Sequence, residues 1–167
     1  MGYSTLDGLV MGTRCGAIDP GVLIALQRDR GLSVAAIEDL LYRRCGLLAV
    51  SGRSSDMRAL LAHDDEASRF AVEHYCYWAA RQAASLVAAL GGVDAAAFTA
   101  GIGYGSAPVR ARIIGHLTWL GLELDERRNQ LQHDSLEPAH ARRPIWRVEA
   151  NEELAIARHV HATVGGD

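Results

Sequence analysis

The sequence predicts a helix-rich α/β chain carrying part of a sheet. Three observations lead there. Helical spacing with caps recurs along most of the 167 residues. Two short stretches read as strands. Glycine-bearing segments stand directly before helices. Two short strands cannot make a protected sheet, so the helices imply further strands outside this segment.

Each element has a local reason. Asp19-Pro20 is an N-cap followed by proline at the first helical position, and Gly31 closes that helix after Arg30. Ser33 caps a second helix with Val34, Ile37, Leu40 and Leu41 on one face and Gly46 beyond its end. Residues 47–52 read as an apolar connection ending in glycine. Ser54-Ser55 offers a cap for a helix through Met57, Leu60 and Leu61. Residues 64–90 read as one long helix, with Ala71, Tyr75, Trp78, Ala79, Ala83, Leu86 and Leu90 at helical spacing and Gly91-Gly92 as its stop.

Residues 95–99 form a short apolar run between glycines and read as a buried strand. Residues 101–105 read as a turn. Ser106 caps a helix through Val109, Ile113, Leu117 and Leu120, with Pro108 in its first turn. Leu122 to Leu124 is a candidate third strand. Residues 125–144 are polar and read mostly as loop. Residues 145–149 alternate and read as a strand, and residues 151–161 as a closing helix.

Composition bounds the function. The chain is 49% hydrophobic and 22% charged, with net charge −3. That is enough apolar material for a core. Interleaved charges argue against a nucleic-acid or membrane-surface partner. No apolar run spans a bilayer, and the first residues lack a signal core. Cys15, Cys45 and Cys76 have no metal-type spacing and read as reduced thiols, with a cytoplasmic location expected. Cys76 reads as a core residue. Cys15 beside Arg14 reads as a packing residue or a mildly reactive thiol.

Three segments can handle phosphate. Arg14 lies among glycines and small residues in Met11-Gly-Thr-Arg-Cys-Gly. A guanidinium there suits paired hydrogen bonds to a phosphoryl group or carboxylate; a surface arginine beside a turn is the plain alternative. Ser51-Gly-Arg-Ser-Ser-Asp-Met-Arg carries Asp56, Met57 and Arg58. Asp56 and Arg58 are either ligand contacts or an ordinary surface pair. Gly101-Ile-Gly-Tyr-Gly, up to Gly105, runs from a strand into a helix, where backbone N–H groups make an anion site. It is neither a P-loop nor the full dinucleotide fingerprint. Asn151-Glu152-Glu153 offers hard oxygens suited to magnesium, or simply an acidic first helical turn.

Taken in order, these segments resemble the acetate and propionate kinases, the acetokinase family. Residues 2–20 are similar to the family's arginine segment, 51–58 to its serine-glycine-x-serine-serine-aspartate-methionine-arginine run, and 99–103 to its adenosine loop. Residues 121–125 and 151–158 match two further segments. The resemblance implies a partial ribonuclease-H-like lobe of the actin, sugar-kinase and acetokinase type, lacking its N-terminal three-stranded meander. It implies a lobe at 1–150 and, at 151–167, a helix that packs on an absent first lobe. Met1 would be an internal methionine of the family pattern serving as a start.

The resemblance also implies a chemistry: ATP's terminal phosphoryl group passes to acetate or propionate, reversibly, with ATP or ADP and magnesium as cofactors. Arg14 would stabilise the phosphoryl group in flight. Asp56, Met57 and Arg58 would contact nucleotide. Gly101, Ile102, Gly103, Tyr104 and Gly105 would pack around adenosine, and Glu152 would help hold magnesium. The family has glutamate and asparagine where this chain has Tyr104 and Gly105. The absent lobe makes the isolated chain an expected poor catalyst, and a homodimer or a complex with the missing half the expected state. A non-catalytic nucleotide- or partner-binding remnant is the alternative.

Overall fold

A computed structural model describes residues 2–164. They fall into two compact units, one of residues 2–93 with 112–120, the other of residues 94–111 with 121–164.

The first unit is helical. Helix α1 (Pro20–Arg30) is capped by Asp19, whose Oδ1 accepts from Gly21 N at 2.7 Å, and ends at left-handed Gly31. Helix α2 (Val34–Arg43) is capped by Ser33 and buries Ile37 and Leu41, whereas Val34 stays in solvent. Gly46 does not follow the end of α2 at a distance. It begins a third helix, α3 (Gly46–Ser51), where a connection was expected. Helix α4 (Met57–Ala62) is capped by Asp56 rather than by Ser54 or Ser55, because the Asp56 carboxylate accepts from Arg58 N at 2.8 Å.

Helix α5 (Glu66–Leu90) is the long helix, capped by Asp65 and stopped by left-handed Gly91. Helices α3 and α4 pack on it. It buries Ser68, Ala71, Val72, Tyr75, Cys76 and Ala80 on one side. Its last turns bury little: Leu86 and Leu90 are exposed. Trp78 is half-buried, with the Arg81 guanidinium 4.4 Å from its ring centroid. Burial pushes the Cys76 thiol up to about 12, as a core cysteine requires.

Helix α6 (Ala107–Gly115) gives its first residues to the second unit and its last to the first. It stops at Gly115, and a short 3₁₀ turn (Thr118–Leu120) follows where a continuous helix was expected. In the first unit, His116 Nε2 lies 2.7 Å from Glu73 Oε1, tying that turn to α5.

The second unit holds the sheet. Strands β1 (Ala96–Phe98) and β2 (Ile145–Arg147) are parallel, with Ala96 opposite Ile145 and Phe98 opposite Arg147. Both are shorter than predicted, and β1 is half-buried rather than buried. The segment 122–124 is not a strand, although Leu122 is buried. Beside β2 lies instead the stretch around Ser135, antiparallel to Trp146, with Leu136 N donating to Ile145 O and Arg147 N to Asp134 O, each at 2.8 Å. The polar segment also contains a helix, α7 (Glu126–Gln130), capped by Asp125. Helix α8 (Glu152–Val164) closes the described residues and buries none of its own. Leu154, Ile156, Val160 and Val164 all face solvent. Among the described residues no helix is long and apolar enough to cross a membrane.

Candidate functional site

Arg14 sits on a loop threaded between α2 and α3. Cys15 N donates to Leu41 O at 3.3 Å, Cys45 N to Thr13 O at 3.0 Å, and Leu47 N to Met11 O at 2.9 Å. Thr13 Oγ1 donates to Tyr42 O at 2.8 Å. The backbone on both sides of Arg14 is therefore held by its neighbours. Gly46 makes this possible. Its φ is +68°, and a Cβ there would collide with Met11 O and lie within 2.9 Å of Arg14 N and O.

Gly46→Ala is expected to displace this loop. The left-handed backbone alone costs alanine about 1–2 kcal/mol, and the collision with Met11 adds to it. Urea unfolding should show a lowered midpoint with an unchanged slope. A midpoint equal to that of the parent chain would mean the loop is not held as described.

The Arg14 side chain lines an open cleft of about 540 Å³ with Thr13, Glu38, Asp39, Tyr42 and Arg43. Asp39 is engaged by Arg44 at 2.8 Å and by Arg43 at 3.7 Å. Among the described residues, none makes a hydrogen bond or ion pair with the Arg14 guanidinium. Cys15 and Cys45, beside it, have thiol pKa values raised by burial, so neither is activated by the neighbouring cations.

The second segment lies against the first. A Cβ on Gly12 would fall 2.9 Å from Ser55 O, so the two backbones meet where only glycine fits. Ser51 Oγ organises the turn, accepting from Arg53 N and Ser54 N, each at 3.1 Å. Asp56 and Arg58 pair with each other: Nη2 to Oδ2 is 3.0 Å. That hydrogen bond from the Arg58 side chain holds the Asp56 carboxyl below its ordinary range. The Arg58 side chain is 90% exposed. Met57 is buried in the core, so only its backbone is available to a ligand.

In the second unit the glycine loop forms one wide helical turn (Ala100–Tyr104) after β1, and Ala100 adopts φ +55°. This loop is held by a residue the motif reading passed over. Arg110 is fully buried. Its Nη1 donates to Gly103 O at 3.0 Å and Tyr104 O at 2.8 Å. Its Nε and Nη2 donate to Asn129 Oδ1, Asn129 O and Gln132 Oε1. Burial, and then the Arg147 charge, draw its pKa down, and no carboxylate is among these partners. Asn129 Nδ2 in turn donates to Ala107 O at 2.9 Å. The only sequence signal was an arginine beside Val109 and four residues before Ile114, on a helix face otherwise apolar. Ser106 does not cap α6 with its side chain. Its Oγ is buried without a partner among the described residues, while its carbonyl accepts from Arg110 N at 3.1 Å.

Glu152 stands in the first turn of α8, exposed, with Glu149, Asn151 and Glu153 nearby. Asn151 Oδ1 caps the helix through Leu154 N at 2.9 Å. No group of three or more metal-ligating His, Cys, Asp or Glu residues occurs among the described residues. That donor set does not make an all-protein cage. It does fit magnesium, which takes one or two carboxylates and completes its shell with phosphate and water oxygens.

The first unit thus presents an arginine on a braced loop that has no partner among the described residues, and the second a glycine turn at the carboxyl end of a parallel strand. The chain belongs to the acetokinase family, which matches residues 1–158. An acetate kinase of Rhodopseudomonas palustris is 44% identical over 168 residues, covering 99% of this chain and 42% of its own length. That of Nitrobacter hamburgensis is 46% identical over 159 residues, covering 95% and 39%. Among solved structures, a propionate kinase from Francisella tularensis superposes with a TM-score of 0.88 at 35% identity, covering 95% of this chain and 41% of that one. Entamoeba histolytica acetate kinase gives 0.89 at 31% identity, covering 98% and 44%. The chain therefore spans less than half the length of these relatives.

Proposed function

We propose that this chain supplies the nucleotide- and phosphoryl-handling part of an acetate or propionate kinase, moving the terminal phosphoryl group of ATP to a short carboxylate and back. The observation that carries this is the Arg14 loop, fixed on both sides by backbone hydrogen bonds while its guanidinium has no partner among the described residues and lines an open cleft. Phosphoryl transfer needs positioned cations more than covalent chemistry. Arg14 would bind the equatorial oxygens of the transferring group. Arg58 would leave Asp56 for a nucleotide anion, with Asp56 and the Met57 backbone beside it. Gly101, Ile102, Gly103, Tyr104 and Gly105 would enclose the nucleoside. Glu152 would hold magnesium, which when bound neutralises phosphate charge.

In the same reading the two-stranded sheet is part of a ribonuclease-H-like lobe at 1–150. Its three-stranded meander belongs to the family length this chain does not match. The closing segment 151–167, of which 165–167 lie outside the described residues, would pack on the first lobe through helix α8. A cytoplasmic location belongs to this reading too. The exposed apolar residues of α8 and of the end of α5 support a packing partner for this chain, since large exposed apolar surfaces drive association. Sedimentation of the dilute chain is expected to show a dimer or larger species, and addition of the remaining family portion a heterocomplex. A monomer that binds no hydrophobic dye would refute this.

The functional test is hydroxamate trapping of acyl phosphate from ATP, magnesium and acetate or propionate. The chain alone is expected to be silent, and the chain mixed with the first lobe of a related acetate kinase active. Turnover by the chain alone would show that the second lobe suffices. A non-catalytic nucleotide- or partner-binding role is the second reading. It is favoured by Tyr104-Gly105 standing in place of the family's polar pair, and by failure of every such mixture.

A further inference from the structure

The carboxyl ends of β1 and β2 lie side by side at Phe98 and Arg147. In open parallel sheets, ligands settle in the crevice outside these ends. Here the crevice holds an unusual pair. The Arg147 guanidinium lies 4.0 Å from the centroid of the Tyr104 ring. The Arg147 side chain is only 14% exposed and reaches Asp134 Oδ1 at 3.3 Å and His133 O at 3.4 Å. Arg110 holds the Tyr104 carbonyl at 2.8 Å. The ring is thus fixed at its backbone and backed on one face.

Tyr104 and Arg147 line an open cleft of about 380 Å³ with Asp134, Trp146, Val148 and Glu149. That volume is within the ~300–1,000 Å³ of small-molecule sites. Tyr104, Trp146 and Val148 offer flat or aliphatic walls. Asp134 and Glu149 repel phosphate but accept hydrogen bonds from an amino group. The lining suits a heterocycle and disfavours an anion.

We propose that Tyr104, backed by Arg147, is the platform on which the base of the nucleotide stacks. Base recognition in this chain then runs through ring contact. Every base has a π-face, so such a platform tolerates different bases. A cation against the ring strengthens and orients the aromatic. The inference rests on the nucleotide reading given above and adds the residues that set its base selectivity.

The test is equilibrium binding to the full chain of three probes with magnesium: ATP, GTP and inorganic tripolyphosphate. ATP and GTP are expected to bind within a few-fold of each other. Tyr104→Ala should weaken both about tenfold and leave tripolyphosphate within about twofold, since that probe has no base. Tyr104→Phe should bind like the parent chain, which separates loss of the ring from loss of the fold. Arg147→Met should weaken ATP and GTP by a smaller factor. ATP binding unchanged in Tyr104→Ala, or tripolyphosphate weakened as much as ATP, would overturn the platform while leaving the nucleotide site standing. Absence of binding by ATP, GTP and tripolyphosphate alike would overturn both.

Discussion

Arg14→Ala, in the chain combined with the first lobe of an acetate kinase, is expected to lower turnover about 10²–10³-fold, the usual cost of one electrostatic stabiliser. The structural reason is the contrast between backbone and side chain. Hydrogen bonds at Met11, Thr13, Cys15, Cys45 and Leu47 fix where the residue stands. Its guanidinium meanwhile keeps its donors for a ligand. In the proposed reading its removal takes away transition-state stabilisation without disturbing the loop, so kcat should fall more than KM rises. Arg14→Lys should recover little, because a point charge lacks the planar fork that matches phosphoryl oxygens. Thermal unfolding of the variant should match the parent. Near-normal acyl phosphate formation by Arg14→Ala would reduce Arg14 to a surface residue.

Arg110→Met is expected to be the most damaging single change to stability in the second unit. Its guanidinium has five N–H donors, and five hydrogen bonds account for them: one to Asn129 Oδ1, one each to the carbonyls of Gly103, Tyr104 and Asn129, and one to Gln132 Oε1. Methionine fills part of the volume but leaves those acceptors unpaired in a buried place. Leaving even one buried acceptor unsatisfied costs on the order of 1–3 kcal/mol, and here several lose their donor at once. Urea unfolding measures the loss. Hydrogen exchange should speed up most at residues 100–106, since the glycine loop loses the clamp on two of its carbonyls. Arg110→Lys should recover only part of the loss, having three donors in a different geometry. A loss under about 1 kcal/mol, below the cost of leaving one buried partner unsatisfied, would show that the loop holds its shape unaided.

The sequence by itself determined what local physics controls. Asp19, Ser33, Gly31 and Gly91 cap their helices as their side chains, or the lack of one, dictate. The strand-turn-helix order around residues 96–115 and the core place of Cys76 were equally legible, because burial follows helical spacing there. The order of the phosphate-handling motifs along the chain points to the family by itself. Tertiary structure decided the rest. Gly46 looked like a stop signal, yet it opens α3, because the backbone of the Arg14 loop passes where a Cβ would stand. Helix α7 has no apolar stripe to announce it; its Asn129 is buried because Arg110 and the Ala107 carbonyl need its amide. Beyond its pairing with β1, β2 takes the stretch at Ser135 on its other edge, while 122–124 is no strand, since backbone pairing selects whichever segment reaches the free edge. Arg110 and the Tyr104–Arg147 stack join residues 19 to 43 positions apart. Neither spacing nor composition carries such pairings, because they exist only once the chain has brought a buried cation to the carbonyls it holds.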